Sequence, residues 1–141
     1  MNTATLLFAL AGVLIAVTVL ALFAIKRKGS IATVPMTKRR QGVRTGAPPQ
    51  QVYGWITQHC PDGFSVVDTD PGRGLVLLDS RISAATWGFF YPVLVTPEHT
   101  GTRVEIGIKS KAVQYGPLVT RQHRKLADAL AALTHGRVEA G

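Results

Sequence analysis

The chain has 141 residues, enough for one domain, and carries a formal net charge of +8 from 16 Lys and Arg against 8 Asp and Glu. Seven of the basic side chains and none of the acidic ones lie within residues 1–46, so residues 47–141 are close to neutral. A nucleic-acid-binding domain carries its basic excess on the fold, so this distribution argues against DNA or RNA as partner. Cys60 is the single cysteine, which excludes a small secreted scaffold held by intrachain disulfides.

The first element is apolar. Leu6 to Ile25 is an uncharged stretch, mostly Leu, Ala, Val, Ile and Phe. As a helix rising about 1.5 Å per residue it spans ~30 Å, the thickness of a bilayer's hydrocarbon core. Thr18 is polar, and a helical Thr is expected to return its hydroxyl to its own backbone. A cleavable signal peptide has a basic start, a shorter apolar region and then a small-residue cleavage site. Here Met1-Asn2-Thr3 carries no basic side chain and Ala9-Leu10-Ala11 falls inside the apolar run, so the stretch reads as an uncleaved transmembrane helix occupying residues 1–25. Gly12 and Ala16 share one face of it, a weak helix-pairing pattern in an Ala-rich span.

Residues 26–46 read as a basic juxtamembrane linker, interrupted by Pro35. Lys26, Arg27 and Lys28 follow the apolar run directly, with Lys38, Arg39, Arg40 and Arg44 beyond. Basic residues this close to a span stay on the cytoplasmic side. The expected placement is the cell membrane, single-pass, with the N-terminus outside and the C-terminal domain cytoplasmic. Lys26, Arg27, Lys28, Lys38, Arg39 and Arg40 are also the candidate contacts with an anionic membrane surface, each such residue contributing about 1 kcal/mol of attraction.

Residues 47–141 read as one small soluble α+β domain, with a first strand at Arg39 to Thr45 feeding into it. Pro48-Pro49 opens a helix in which Val52, Tyr53, Ile56 and Cys60 recur at helical spacing, and Pro61-Asp62-Gly63 stops it. Four strands follow. Phe64–Asp68 is closed by the turn Asp70-Pro71-Gly72-Arg73-Gly74, and Leu75–Ile82 begins with an apolar run. Trp87–Thr96 contains Pro92, which predicts an edge or a bulge because proline donates nothing to a ladder. Thr102–Lys109 alternates Val104, Ile106 and Ile108 against Arg103, Glu105 and Lys109, the pattern of a half-buried antiparallel strand. Pro117 then opens a long helix with Leu118, Val119, Leu126, Leu130 and Leu133 on one side, ended by Gly136.

The predicted fold class is therefore α+β: one transmembrane helix, then a small antiparallel sheet of about five strands with two helices on one face, the layering that buries this pattern. This element order, over about Arg39 to His135, resembles the START-like helix-grip superfamily and the TATA-binding-protein-like fold. The resemblance is one of topology, and it implies a closing helix laid across the sheet.

No sequence pattern assembles catalytic chemistry. The four histidines, His59, His99, His123 and His135, lack metal-site spacing, and no cysteine pair accompanies them. Asp68-Thr69-Asp70 enters a Pro-Gly turn, where Asp is at home for local reasons. Gly72-Arg73-Gly74 is too short to cradle phosphate. No metal, cofactor or enzyme activity is predicted. The most distinctive segment runs from Ser83 to Tyr91, where Trp87, Phe89 and Tyr91 fall on one strand face and Phe90 on the other. One face is expected in the core, leaving the remainder of Trp87, Phe89, Phe90 and Tyr91 as a surface for a partner or ligand. Arg121, His123, Arg124 and Lys125 form a basic patch on the last helix, solvated or resting on anionic lipid. The function expected is that of a membrane-tethered accessory protein, integral in the lipid bilayer, whose small domain docks to a protein partner. The alternative is a module binding a lipid or small hydrophobic ligand in a groove between the sheet and the last helix.

Overall fold

The computed structural model describes residues 2–26, 29–81, 88–111 and 116–139. Helix α1 runs Thr3–Lys26. It starts earlier than the apolar run because Asn2 caps it, its Oδ1 accepting from Thr5 N at 2.8 Å and Thr5 Oγ1 at 2.7 Å. Thr18 Oγ1 donates to Leu14 O at 2.8 Å, so the polar atom of the span is satisfied within the helix. This N-terminal helix is long and apolar enough to cross a membrane. Its large side chains from Leu6 to Leu20 are 50–80% exposed, so no part of the domain covers them.

The remaining order is β1 (Arg40–Thr45), α2 (Pro49–Gln58), β2 (Phe64–Asp70), a 3-10 turn (Pro71–Arg73), β3 (Leu75–Ser80), β4 (Phe89–Glu98), β5 (Gly101–Gly107), β6 (Lys109–Ser110), α3 (Pro117–Thr134) and β7 (Arg137–Val138). All strands pair antiparallel in one sheet of order β2-β3-β4-β5-β1-β7, with β6 also on β4. The α+β class holds, with seven strands rather than about five. The two extra strands have two residues each, too short for period-two alternation to reveal.

Pro92 is not at an edge, because β4 is central. It pairs with Leu77 of β3 on one side. On the other, β4 pairs β5 from Val93 onward and β6 at Phe89 and Phe90, in a single register. The ladder is interrupted between them, where proline has no N–H to give. On the β1 side, one residue past the last β1–β5 pair, Ile108 N donates to Thr37 Oγ1 at 3.1 Å.

Both later helices cover one face. Proline occupies the first turn of each, and the stripes Val52/Ile56 and Leu126/Leu130 are fully buried against Val43, Val93, Val104, Ile106 and Tyr91. Each such Leu or Ile contributes roughly 1.5–3 kcal/mol by leaving water. His135, not Gly136, ends α3, in the left-handed conformation with φ 54°. Gly136 serves close approach: a Cβ there would stand 2.5 Å from Arg44 O of β1.

The opposite face divides in two. Over β5, β1 and β7 it is an ion-pair lattice: Arg40 with Glu105 at 2.9 Å, Arg103 with Glu139 at 3.1 Å and Glu105 at 3.6 Å, and Arg44 with Glu98 at 3.6 Å and with Glu139. Over β2, β3 and β4 it is covered by residues 29–37, expected as linker. Val34, Leu77 and Phe90 form a second small core there, with Ile31 and Val67 packed on it. Ile31 N donates to Asp68 Oδ2 at 2.9 Å. Gly29 lies flat on the Phe90 ring, where an added Cβ would come within 2.6 Å of Cε1. The folded unit thus begins at Gly29 and not at residue 47: the interval 26–46 supplies a strap and a strand.

Candidate functional site

The candidate aromatic surface is placed first. Phe89 and Tyr91 are 0% exposed beneath the helices, and Phe90 is 1% exposed under the strap. Phe64 and Tyr91 meet edge to face at 5.4 Å, and the Tyr91 hydroxyl donates to Ser80 Oγ at 3.3 Å. Burial pushes the Tyr91 phenol up to about 12 despite that bond. These three rings fill both cores and offer no free surface, a correction to the sequence reading. The cause is the strap, which covers the face that would otherwise have exposed Phe90. Trp87 lies outside the described residues.

The groups with chemical potential do not converge. His59, His99 and His135 are exposed on three separate connections. His123 is not part of a surface patch: it is fully buried, its Nε2 on Ile106 O and its Nδ1 without a partner. Burial lowers its pKa, the Ile106 carbonyl opposes this, and the nearby Arg39 cation lowers it further. Cys60 is half-buried and its thiol is pushed up to about 11 by burial, with the Asp79 carboxylate adding to the rise. That rise works against the thiolate near pH 7. Asp68 and Asp70 serve local structure, Asp68 anchoring the strap and Asp70 pairing with Arg73 at 2.7 Å. Among the described residues no three His, Cys, Asp or Glu side chains are placed to hold a metal ion.

The hollows lie outside the core. The space between α3 and the sheet, where a helix-grip ligand would go, is filled by Leu126, Ala127, Leu130 and His123. An open cleft of about 540 Å³ lies at one end of the sheet, between Pro49, Gln50 and Tyr53 of α2, the Pro71–Gly74 turn and the end of β4 at Val95–Pro97. Tyr53 donates to Leu75 O at 2.9 Å and so holds the cleft's floor. A groove of about 430 Å³ runs between the strap (Ile31, Val34, Met36) and Leu75, Val76 and Pro92.

The basic candidates separate by partner. Arg40 is held by Glu105, and the buried Lys111 ammonium is held by Asp79 at 2.8 Å and Ser80 O at 3.2 Å above the Phe90 ring. Lys38 and Arg39 are exposed, and Arg39 Nη2 donates to Thr120 Oγ1 of α3. Arg121, Arg124 and Lys125 are exposed with no ion pair among the described residues. Lys26 is the last residue of α1, and Arg27 and Lys28 lie outside the described residues.

No family model matches this chain, and no curated protein matches it.

Sequence reasoning placed His123 in a surface patch, read Tyr53 only as part of a helical stripe, and passed over Lys111. His123 had a legible mark, since it stands three and seven positions before Leu126 and Leu130 and so shares their stripe. Lys111 had none, because its partner Asp79 is brought to it only by the sheet.

Proposed function

We propose that this chain is a single-pass membrane protein whose α1 remains in the bilayer, with its N-terminus outside and the α+β domain on the cytoplasmic side, where that domain docks to other membrane or peripheral proteins as an accessory. The observation that carries the reading is α1 itself: a 24-residue helix whose large apolar side chains from Leu6 to Leu20 are bare. In water that surface far exceeds the few hundred Å² a soluble monomer leaves exposed. The basic residues that follow the helix support an anchor in this orientation.

The domain has a filled core, no convergent nucleophile and base among the described residues, and an open cleft walled by Pro49, Pro71 and Pro97. The cleft is the docking position we assign. Tyr53 and three prolines give it rigid, half-apolar walls, which lose little freedom on contact. A second reading, a small lipid or hydrophobic ligand, is favoured by the apolar groove under the strap.

Mild detergent extraction, co-purification and native mass spectrometry of the full chain test both. A co-purifying protein lost from the exposed Gln50→Arg variant supports docking at the cleft. A bound lipid mass with no protein transfers the function to the groove. A chain recovered alone and without ligand overturns both. Reporters fused at each terminus test the orientation, and a C-terminal reporter accessible only from outside reverses it.

A further inference from the structure

The strap fixes which part of the domain can reach the membrane. Phe90, against which Gly29 packs, lies at the end of the sheet where β4 meets β6 and where β3 finishes. Only two residues separate Lys26, the last of α1, from Gly29. Three virtual bonds of about 3.8 Å hold these two within roughly 11 Å. If α1 is in the bilayer, the Phe90 end of the sheet stands at the headgroups. The 540 Å³ cleft lies at the opposite end, among Gly74, Val95 and Pro97.

The same end carries most of the cations that have no ion pair among the described residues, with Arg137 at the far end as an exception. Arg39 reaches Thr120 in the first turn of α3, His123 contacts Ile106 near the close of β5, and α3 reaches the far end only at Thr134, whose carbonyl accepts from Thr45 Oγ1 at 2.7 Å. Lys38, Arg39, Arg121, Arg124 and Lys125 thus gather around the N-terminal half of α3, although the chain places them in two separate stretches. Of the acidic residues, Asp70, Asp79, Glu98, Glu105 and Glu139 are engaged by Arg73, Lys111, Arg40, Arg44 and Arg103, and Asp68 accepts from Ile31 N. Asp62 is exposed at the β2 edge, three strands from β5, and Asp128 lies on the same α3 surface as Arg121, Arg124 and Lys125, one carboxylate against the cations gathered there. The ion-pair lattice neutralises one face of the domain and leaves the helix side of the tether end cationic.

We infer that this surface, formed by Lys38 and Arg39 together with Arg121, Arg124 and Lys125 of α3, rests on the anionic headgroups of the leaflet from which the chain emerges, so that the domain is seated in one orientation with its cleft turned away. The inference rests on α1 being a membrane anchor. Arg40, grouped with its neighbours by sequence, is excluded because Glu105 holds it on the other face. The occupant is the bilayer rather than an acidic protein because the short link from Lys26 to Gly29 holds this end of the domain beside the leaflet that α1 enters, whatever else is present.

The test uses the full chain with Cys60→Ser, carrying a fluorophore at Asp128→Cys or, as the distant control, at Thr100→Cys in the β4–β5 turn. The protein is placed in nanodiscs of phosphatidylcholine alone or with about 30% phosphatidylserine, a strongly anionic surface, with a headgroup-nitroxide lipid as quencher. Quenching at position 128 should exceed that at position 100, strengthen with serine lipid and fall in high salt. It should also fall by at least about fivefold in Arg121→Gln/Arg124→Gln/Lys125→Gln, three exposed positions where Gln keeps helix propensity. Equal quenching at both positions, or quenching indifferent to serine lipid and to the triple variant, overturns the inference and leaves the cationic surface to an acidic protein. Protein that fails to stay with the discs overturns the anchor itself, and the seating falls with it.

Discussion

At the scale of single residues, two buried groups report on the core through their titration. His123 is neutral in the fold because burial and the Arg39 cation oppose a second proton. Its folded pKa lies below its ordinary value of ~6.5, so between the two the unfolded chain binds more protons. Its stabilising contribution is complete above ~6.5 and is lost as pH falls through that window. Urea unfolding of the detergent-solubilised chain should show a midpoint that drops between about pH 7 and pH 5, and His123→Leu should flatten part of the drop; an unchanged slope refutes the assignment. Cys60 gives a second reading. With its thiol pushed up to about 11, its thiolate fraction at neutral pH is far below that of a free cysteine, and alkylation should be slower by roughly two orders of magnitude. Alkylation as fast as in an unfolded control would show that the thiol is not held as described.

At the scale of elements, the strap is the part of the fold that the sequence disguised. Strands β2 to β5 and helices α2 and α3 were legible because each carries several apolar residues, with Pro or Gly near its ends, while β1 showed only the shared parity of Gln41, Val43 and Thr45. The strap has two apolar anchors, Ile31 and Val34, too few for any period to register. Its position depends on partners far along the chain: Phe90 for Gly29, Asp68 for Ile31, and the Ile108 amide for Thr37. The same absence of local signal hid the pairing of Lys111 with Asp79. The aromatic run was visible and its alternation correctly divided, yet which face stayed open depended on the strap. Gly29→Ala places a methyl group inside the Phe90 ring's contact distance and should cost about 1–3 kcal/mol, as overpacking does. Hydrogen exchange locates the effect. The amides of Thr33 and Val34, bonded to Ser30 O at 3.1 and 2.8 Å, should lose protection while those of α3 keep theirs. Uniform loss would mean that the strap is not a separable element.

At the scale of the whole molecule, the unequal exposure of its two parts is what the proposed anchor rests on. The domain hides its large apolar side chains in two cores, while α1 leaves Phe8 80% and Leu14 68% exposed. A helix bare on all sides has no preferred protein-facing stripe, which is the condition for a span surrounded by lipid rather than one packed against its own domain. Leu14 lies near the middle of the span, where a cation is most costly. Leu14→Arg replaces a residue that favours insertion by roughly 0.3–0.6 kcal/mol with one that opposes it by about 2.5–3.5 kcal/mol. Thr18→Leu should be tolerated, since the Thr18 hydroxyl is already satisfied by Leu14 O and contributes nothing that lipid requires. Alkaline extraction of membranes separates these outcomes: the Thr18 variant stays in the pellet and a substantial share of the Leu14 variant moves to the supernatant. Equal release of both would mean that the helix is held at the membrane by something other than burial in hydrocarbon, and the short span from Lys26 to Gly29 would then no longer fix which end of the sheet faces the bilayer.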